Sequence, residues 1–134
     1  MVIDAEGDIG CAVIGEILTR VAKSRGVVGI VVDGAVRDVD ALEELAFPCW
    51  ARGISLRGPM KDGPGAINVP VSIGGMIVNP GDIILGDRDG VIAAVTVDHD
   101  DLINQALQGL QTVVQVMRFV ARDDDGREGG VSVG

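Results

Sequence analysis

The stretch from residue 27 to residue 38 reads Val-Val-Gly-Ile-Val-Val-Asp-Gly-Ala-Val-Arg-Asp, and it decides the fold of this chain. Its first half, Val27 to Val32, is rich in β-branched residues, which predicts a strand buried on both faces. Asp33-Gly34 then predicts a turn. Ligands of α/β folds gather at the carboxyl ends of strands, so Arg37 and Asp38 are candidate site residues. The alternative is that Asp38 only caps a helix and Arg37 only lies on the surface.

Upstream, apolar residues recur at helical spacing between Ile9 and Ser24, and Gly26 is a suitable stop for that helix. The expected elements up to the middle of the chain are the end of a strand at Val2 to Asp4, this helix, the strand Val27 to Val32, a helix from Asp38 through Leu45, a strand near Cys49 to Arg52, and a Gly/Pro-rich loop from Gly53 to Gly65.

Downstream, pairs of turn residues separate short apolar runs, which predicts several further strands and then a helix. The strands are expected at Ala66 to Val71, at Met76 to Val78 with Ile83 to Leu85, and at Val91 to Val97, and the helix from about Asp98 to Val120. We therefore expect one α/β domain over residues 1–120 and a disordered Asp/Gly-rich tail over residues 121–134.

Composition excludes several classes of protein. A chain of 134 residues with 47% hydrophobic and 23% charged residues is globular and about one domain long. Its net charge of −9 would repel a phosphate backbone, so nucleic acid is not an expected partner. The lone cysteines Cys11 and Cys49 indicate reduced thiols, and no apolar run reaches the ~20 residues of a membrane span, so a cytoplasmic protein without membrane contact is expected.

Glu16 is a third candidate site residue, because it follows Gly15 on a largely apolar helix and lies twenty residues before Arg37. A lone glutamate at such a position is more often on a solvated face. Whether Glu16 reaches Asp38 depends on how the helix docks, which the sequence does not determine.

Three motifs carry a resemblance to a known family. The segments Gly15-Glu16-Ile17-Leu18, Asp33 to Asp38, and Pro80-Gly81-Asp82-Ile83 leading to Asp87-Arg88-Asp89-Gly90-Val91 resemble the RraA-like family, which includes the 4-hydroxy-4-methyl-2-oxoglutarate / 4-carboxy-4-hydroxy-2-oxoadipate aldolases. The family signature is an acidic residue, twenty residues, then Arg-Asp, as in Glu16, Arg37 and Asp38. The match covers about residues 2 to 105, and relatives usually carry several dozen residues before the position of Val2.

The resemblance implies a layered β/β/α fold of the swivelling phosphohistidine-domain type, assembled as a homotrimer or homohexamer. It implies a class II pyruvate aldolase of aromatic compound catabolism that cleaves a 4-hydroxy-2-oxo dicarboxylic or tricarboxylic acid to pyruvate and a second oxo acid, with oxaloacetate decarboxylation as a side activity. An acidic residue from a neighbouring subunit would join the site.

The resemblance also implies roles for individual residues. Asp38 would ligate a divalent metal, Glu16 would hold it through water, and Arg37 would bind the pyruvyl group and steady the developing enolate. Backbone amides of Val13, Ile14 and Gly15, near the helix start, would receive the substrate carboxylate.

The residues support a hard metal independently of the family. His99 is the only histidine and the two cysteines are far apart in sequence, so there is no cluster of nitrogen or sulfur ligands for zinc. Any metal would be bound by oxygen, which suits Mg²⁺ or Mn²⁺. His99 itself is interpreted as an exposed residue at a helix start.

Two other readings remain open. Some RraA-like proteins inhibit ribonuclease E by binding it, so a non-enzymatic regulator is the alternative to a lyase. The short start of the chain also leaves open an inactive remnant.

Overall fold

A computed structural model describes residues 1–60 and 63–94, together with the backbone of three short strands further along the chain. The elements are β1 (Val2–Asp4), β2 (Ala12–Ile14), α1 (Glu16–Ser24), β3 (Ile30–Val36), α2 (Val39–Glu44), β4 (Cys49–Ile54), β5 (Val71–Ile73), β6 (Met76–Val78), β7 (Ile83–Gly86), β8 (Val91–Ala94), β9 (Gln115–Met117), β10 (Ala121–Arg122) and β11 (Glu128–Gly129).

Strand β3 is the centre of a parallel sheet. Strand β4 pairs along one of its edges, and β1 and β2 pair with successive parts of the other. All seven residues of β3 are buried, as expected for a parallel strand covered on both faces. The parallel pairing of β2 with β3 requires a crossover, and α1 supplies it.

Side chains of β3 alternate between two hydrophobic clusters. Ile30 and Val32 pack with Leu42 and Phe47 beneath the helices. Val31 points to the opposite face, where it packs with residues of the antiparallel strands: Ile73, Val78 and Val91. The molecule is therefore layered, with helices on one face of the central sheet and antiparallel strands on the other.

The antiparallel layer consists of the β5–β6 hairpin and the sheet β7-β8-β9. Trp50 of β4 joins this layer to the central sheet, because its Nε1 donates a hydrogen bond to the carbonyl oxygen of Asp87 at 2.9 Å. A Cβ atom on Gly86 would lie 2.6 Å from the ring of Trp50, so the strand can approach the indole only with glycine there. In addition, β10 and β11 pair with each other.

Asp33-Gly34 is not the predicted turn. Both residues lie inside β3, where the two residues between Val32 and Ala35 oppose a single residue of β4, Arg52, as in a β-bulge. The Asp33 carboxylate is buried, accepts hydrogen bonds from Arg52 Nε and from the Gly74 amide, and so fastens the β5–β6 hairpin to the sheet. A Cβ on Gly34 would lie 2.7 Å from Cβ of Ala5, so the glycine allows close approach of the chain after β1.

Other boundaries also differ from the predictions. The first helix begins at Glu16 rather than near Ile9, because residues 12–14 form β2. The strand expected from Ala66 begins only at Val71. The helix predicted from Asp98 to Val120 is wrong at Gln115–Met117, which is β9, and its other residues lie outside the described ones.

The predicted strand Val91 to Val97 is confirmed over Val91–Ala94, and its remainder lies outside the described residues. The tail from residue 121 is described only at the β10–β11 pair, so its predicted disorder and the domain boundary stay predictions. Within residues 1–60 and 63–94, no helix is long and apolar enough to cross a membrane.

Candidate active site

The parallel pairing of β2 with β3 brings the candidate residues together. Ile14 pairs with Val36, and the Arg37 amide donates to the Ile14 carbonyl oxygen at 3.0 Å. Each strand ends at this point, so the residues that follow β2 meet the residues that follow β3. Gly15 and Glu16 thus lie against Arg37 and Asp38, as ligand-site residues do at the carboxyl ends of parallel strands.

Asp38 occupies the N-cap position of α2, as predicted, but its side chain does not cap that helix. Instead, Asp38 Oδ2 accepts a hydrogen bond at 3.0 Å from the Glu16 amide, the first residue of α1. The backbone of Asp38 has φ 58°, in the left-handed region that aspartate tolerates better than most residues. This conformation, at a residue between β3 and α2, aims the carboxylate at the start of another helix.

Arg37 lies in a slot between two glycines. A Cβ atom on Gly15 would lie 2.7 Å from Arg37 Cγ and 2.9 Å from its Nε, and a Cβ on Gly58 would lie 3.4 Å from its Nη1. Arg37 Nε is 3.6 Å from Asp38 Oδ2, and the arginine side chain is 41% exposed. The guanidinium is therefore packed along its length and still open to a ligand.

The side chain of Glu16 points to its own helix. Its Oε1 accepts a hydrogen bond from Arg20 Nε at 2.7 Å, one helical turn further on. The backbone of Glu16 joins the Arg37–Asp38 pair, as its spacing suggested, while its carboxylate pairs with Arg20. An exposed i,i+4 pair contributes only about 0.3–0.5 kcal/mol, so this carboxylate is released at low cost.

The amides predicted to receive the substrate carboxylate lie at the end of β2 and the start of α1. Val13 and Ile14 belong to β2, and Gly15 is the N-cap of α1. The amides at the helix start belong to the residues from Glu16 onward, and the first turn of a helix leaves such amides without partners inside the helix. Those of Ile17 and Leu18 are therefore candidates for an anion as well, and the predicted role of the Val13, Ile14 and Gly15 amides stays a prediction.

The available donors suit only a metal that keeps most of its water. Among the described residues, no group of three or more His, Cys, Asp or Glu side chains could enclose an ion. The Asp38 carboxylate is 39% exposed and offers hard oxygen. One carboxylate with several retained waters fits Mg²⁺ or Mn²⁺ and does not fit a closed zinc site.

The Ser55–Gly58 segment is a part of the site that lies in the Gly/Pro-rich loop predicted from Gly53 to Gly65, and the sequence did not connect it with Arg37. It follows β4 and hydrogen-bonds to Val36 at the end of β3 and to Ala12 at the start of β2, and a Cβ atom on Gly58 would lie 3.4 Å from Arg37 Nη1. Only the parallel pairing of β4 with β3 places it there. The signal in the sequence was too weak to connect residue 58 with residue 37.

Comparisons with known proteins show the family of the chain. The model of the RraA-like family, described as Aldolase/RraA, matches residues 1–93. A protein of Halalkalibacterium halodurans named "Putative 4-hydroxy-4-methyl-2-oxoglutarate aldolase" is 38% identical over 132 residues, covering 98% of this chain and 58% of that protein. The chain belongs to the RraA-like family.

Solved structures show the same fold. The RNA-processing inhibitor RraA of Thermus thermophilis superposes with a TM-score of 0.65 at 35% identity, over 69% of this chain and 56% of that one. Streptomyces coelicolor RraAS2, described as an unusual member of the RNase ES inhibitor RraA family, gives 0.70 at 32% identity, over 80% and 55%. The predicted fold class is confirmed, and the chain spans less than two thirds of these relatives.

Proposed function

We propose that the protein is a divalent-metal-dependent pyruvate aldolase, which cleaves a 4-hydroxy-2-oxo dicarboxylic or tricarboxylic acid to pyruvate and a second oxo acid. The observation that carries this proposal is the meeting of Asp38, Arg37 and the start of α1 at one edge of the sheet, with Asp38 Oδ2 3.0 Å from the Glu16 amide. The aldolase name of the Halalkalibacterium halodurans relative supports the same chemistry.

The residues divide the work as follows. Arg37 presents a planar guanidinium to the carboxylate and keto oxygen of the pyruvyl half, and its positive charge stabilises the enolate that forms. The amides at the start of α1 receive carboxylate oxygen. Asp38 would hold Mg²⁺ or Mn²⁺ directly and Glu16 through water, and the bound ion would supply Lewis-acid polarisation of the keto group.

Bond cleavage needs a proton acceptor for the C4 hydroxyl. Glu16 can take this proton through a water that it orients, once its carboxylate leaves Arg20. The C3–C4 bond then breaks, its electron pair moves into the pyruvate enolate, and the proton held by Glu16 returns through the water to C3 and completes pyruvate. The same enolate arises from loss of carbon dioxide from oxaloacetate, so the proposal includes a decarboxylase side activity. It also includes assembly as a homotrimer or homohexamer, in which a neighbouring subunit contributes an acidic residue to the site.

Pyruvate release from 4-carboxy-4-hydroxy-2-oxoadipate, with Mg²⁺ and with EDTA, tests the proposal. We expect EDTA to abolish turnover, added Mg²⁺ or Mn²⁺ to restore it, and Asp38→Ala to lower it at least a hundredfold without unfolding the protein. Asp40→Ala is the matched control, because Asp40 is an exposed carboxylate two residues away. Full activity of Asp38→Ala at limiting Mg²⁺ would exclude the assignment.

The second candidate function is a non-enzymatic inhibitor of an RNA-processing ribonuclease. It is favoured by the descriptions of the Thermus thermophilis and Streptomyces coelicolor proteins as inhibitors. Adding the purified chain to a ribonuclease E cleavage reaction separates the two functions, because inhibition that survives Asp38→Ala and EDTA would indicate binding rather than catalysis.

A further inference from the structure

The Ser55–Gly58 segment is fastened to the start of β2 and the end of β3 by a set of hydrogen bonds. The Ser55 amide donates to the Val36 carbonyl oxygen at 3.0 Å, and the Ala12 amide donates to the Arg57 carbonyl oxygen at 2.7 Å. Ser55 Oγ donates to the Gly10 carbonyl oxygen at 2.9 Å and accepts from the Arg57 amide at 3.3 Å. The serine hydroxyl therefore links the segment before β2 to the segment after β4.

This segment forms one wall of the slot that holds Arg37. A Cβ atom on Gly58 would lie 3.4 Å from Nη1 of the guanidinium, and one on Gly15 would lie 2.7 Å from Cγ and 2.9 Å from Nε. The Nε–Oδ2 distance to Asp38 is 3.6 Å, which is too long for a hydrogen bond. Asp38 therefore attracts the guanidinium by charge without a hydrogen bond, and the two glycines leave the space in which the Arg37 side chain lies.

We propose that Ser55 is a positioning residue for Arg37, acting through the backbone of the Ser55–Gly58 segment. An arginine side chain has many rotamers, and a ligand that selects one of them is bound more weakly. A wall that restricts those rotamers in advance lowers this cost. The hydroxyl of Ser55 is well suited to the task because it makes one bond to each of the two chain segments it joins.

The proposed effect of Ser55 on substrate affinity rests on the proposed function, because that function makes Arg37 the group that binds the pyruvyl half of the substrate. Orientation of Arg37 itself does not depend on that function. Two readouts therefore keep the ideas apart: the kinetics of pyruvate release, and the nuclear magnetic relaxation of the Arg37 Nε–H group in the free protein, assigned by its loss in Arg37→Lys.

The test compares Ser55→Ala, Ser55→Thr and Gly58→Val with the control Ser72→Ala, which changes an exposed serine of the β5 strand. We expect Ser55→Ala to raise KM about tenfold, equivalent to ~1.4 kcal/mol, with kcat changed less than threefold. The Arg37 Nε–H group should become more mobile. Ser55→Thr should keep KM and the mobility of the Arg37 Nε–H group at their wild-type values. Gly58→Val should raise KM by narrowing the slot that holds Arg37.

A purely structural role for Ser55 would lower the thermal midpoint or the active fraction and leave KM and Arg37 mobility unchanged, and that result would overturn the proposal. If the wild-type protein releases no pyruvate, the proposed function is refuted. The relaxation measurement would still decide the positioning role, because unchanged Arg37 mobility in Ser55→Ala would refute it.

Discussion

Gly15→Ala tests the geometry of the site with the addition of one carbon atom. The backbone of Gly15 is extended, with φ −150° and ψ −164°, so alanine adopts it without strain. The new Cβ would lie 2.5 Å from Asp38 Oδ2, 2.7 Å from Arg37 Cγ and 2.9 Å from Arg37 Nε. All three distances are below the van der Waals contact of carbon with these atoms, so both side chains must move.

The expected loss of stability follows from the bond that this movement breaks. Asp38 Oδ2 caps α1 through the Glu16 amide, and loss of a cap costs about 0.5–2 kcal/mol. Because the Asp38 side chain is 39% exposed, water replaces part of that bond, and about 1 kcal/mol remains. For a chain of this length, that corresponds to a fall of about 4 °C in the thermal midpoint.

The expected loss of activity is larger than the loss of stability. Displacing a binding group by about 1 Å costs on the order of a hundredfold in rate, and here both Arg37 and Asp38 are displaced. Pyruvate release and thermal unfolding measured on the same sample would show the two effects. Gly65→Ala is the matched control, since a Cβ there meets nothing within 4 Å. If Gly15→Ala keeps wild-type kcat/KM, then Arg37 and Asp38 do not form the site.

Three further outcomes are expected. Arg37→Lys should lower kcat/KM more than tenfold, because a point charge does not replace a planar bidentate donor, and rates within threefold of wild type would contradict this. Borohydride added with pyruvate should leave the mass of the protein unchanged, because the Lys23 ammonium already donates a hydrogen bond to the Leu45 carbonyl oxygen at 2.6 Å. An adduct on Lys61, the other lysine, together with EDTA-resistant turnover would indicate Schiff-base chemistry instead. Burial raises the pKa of the Cys49 thiol to about 11, so iodoacetamide at pH 8 should alkylate the less buried Cys11 first. The part of the free energy of unfolding that depends on the neutral Cys49 thiol should be lost only as the pH rises from about 9 toward 11.

The sequence predicted the fold class and the family, and both predictions are confirmed. The β-branched run before Asp33 was sufficient for the central strand, because a strand buried on both faces has few other compositions. The predicted end of that strand was wrong, since Asp-Gly is a signal of turns and of bulges alike. Only the partner strand distinguishes the two: the bulge at Asp33-Gly34 is visible as a register shift against β4.

The start of α1 was misplaced for a similar reason. Three apolar residues at 12–14 fit the periodicity of the following helix, and a strand this short has no pattern of its own. Its only mark is pairing with β3, which is a contact between distant segments. As a consequence, Val13 and Ile14 were assigned to a helix start that in fact begins two residues later, at Glu16.

The site also has components that a linear motif could not indicate. The Asp38 carboxylate caps α1 rather than α2, and the Glu16 carboxylate pairs with Arg20. Both facts depend on side-chain direction, which residue spacing does not encode. The roles of Glu16, Arg37 and Asp38 in catalysis remain predictions, and Arg37→Lys and Asp38→Ala test those of Arg37 and Asp38.

The twenty-residue interval between Glu16 and Arg37 is a consequence of topology. Glu16 lies just beyond the end of β2, and Arg37 follows directly on β3, the next strand along the chain. Because these two strands pair in parallel, with Ile14 opposite Val36, the residues after them must be neighbours in space. The interval is then the length of one crossover: the helix α1, its return connection and the strand β3. A change in the length of β3 would alter the register at Ile14 and separate the two halves of the site. The family motif consists of an acidic residue and a distant Arg-Asp pair. Its spacing thus follows from a single β-α-β unit, in which the candidate functional residues lie where the two strands end.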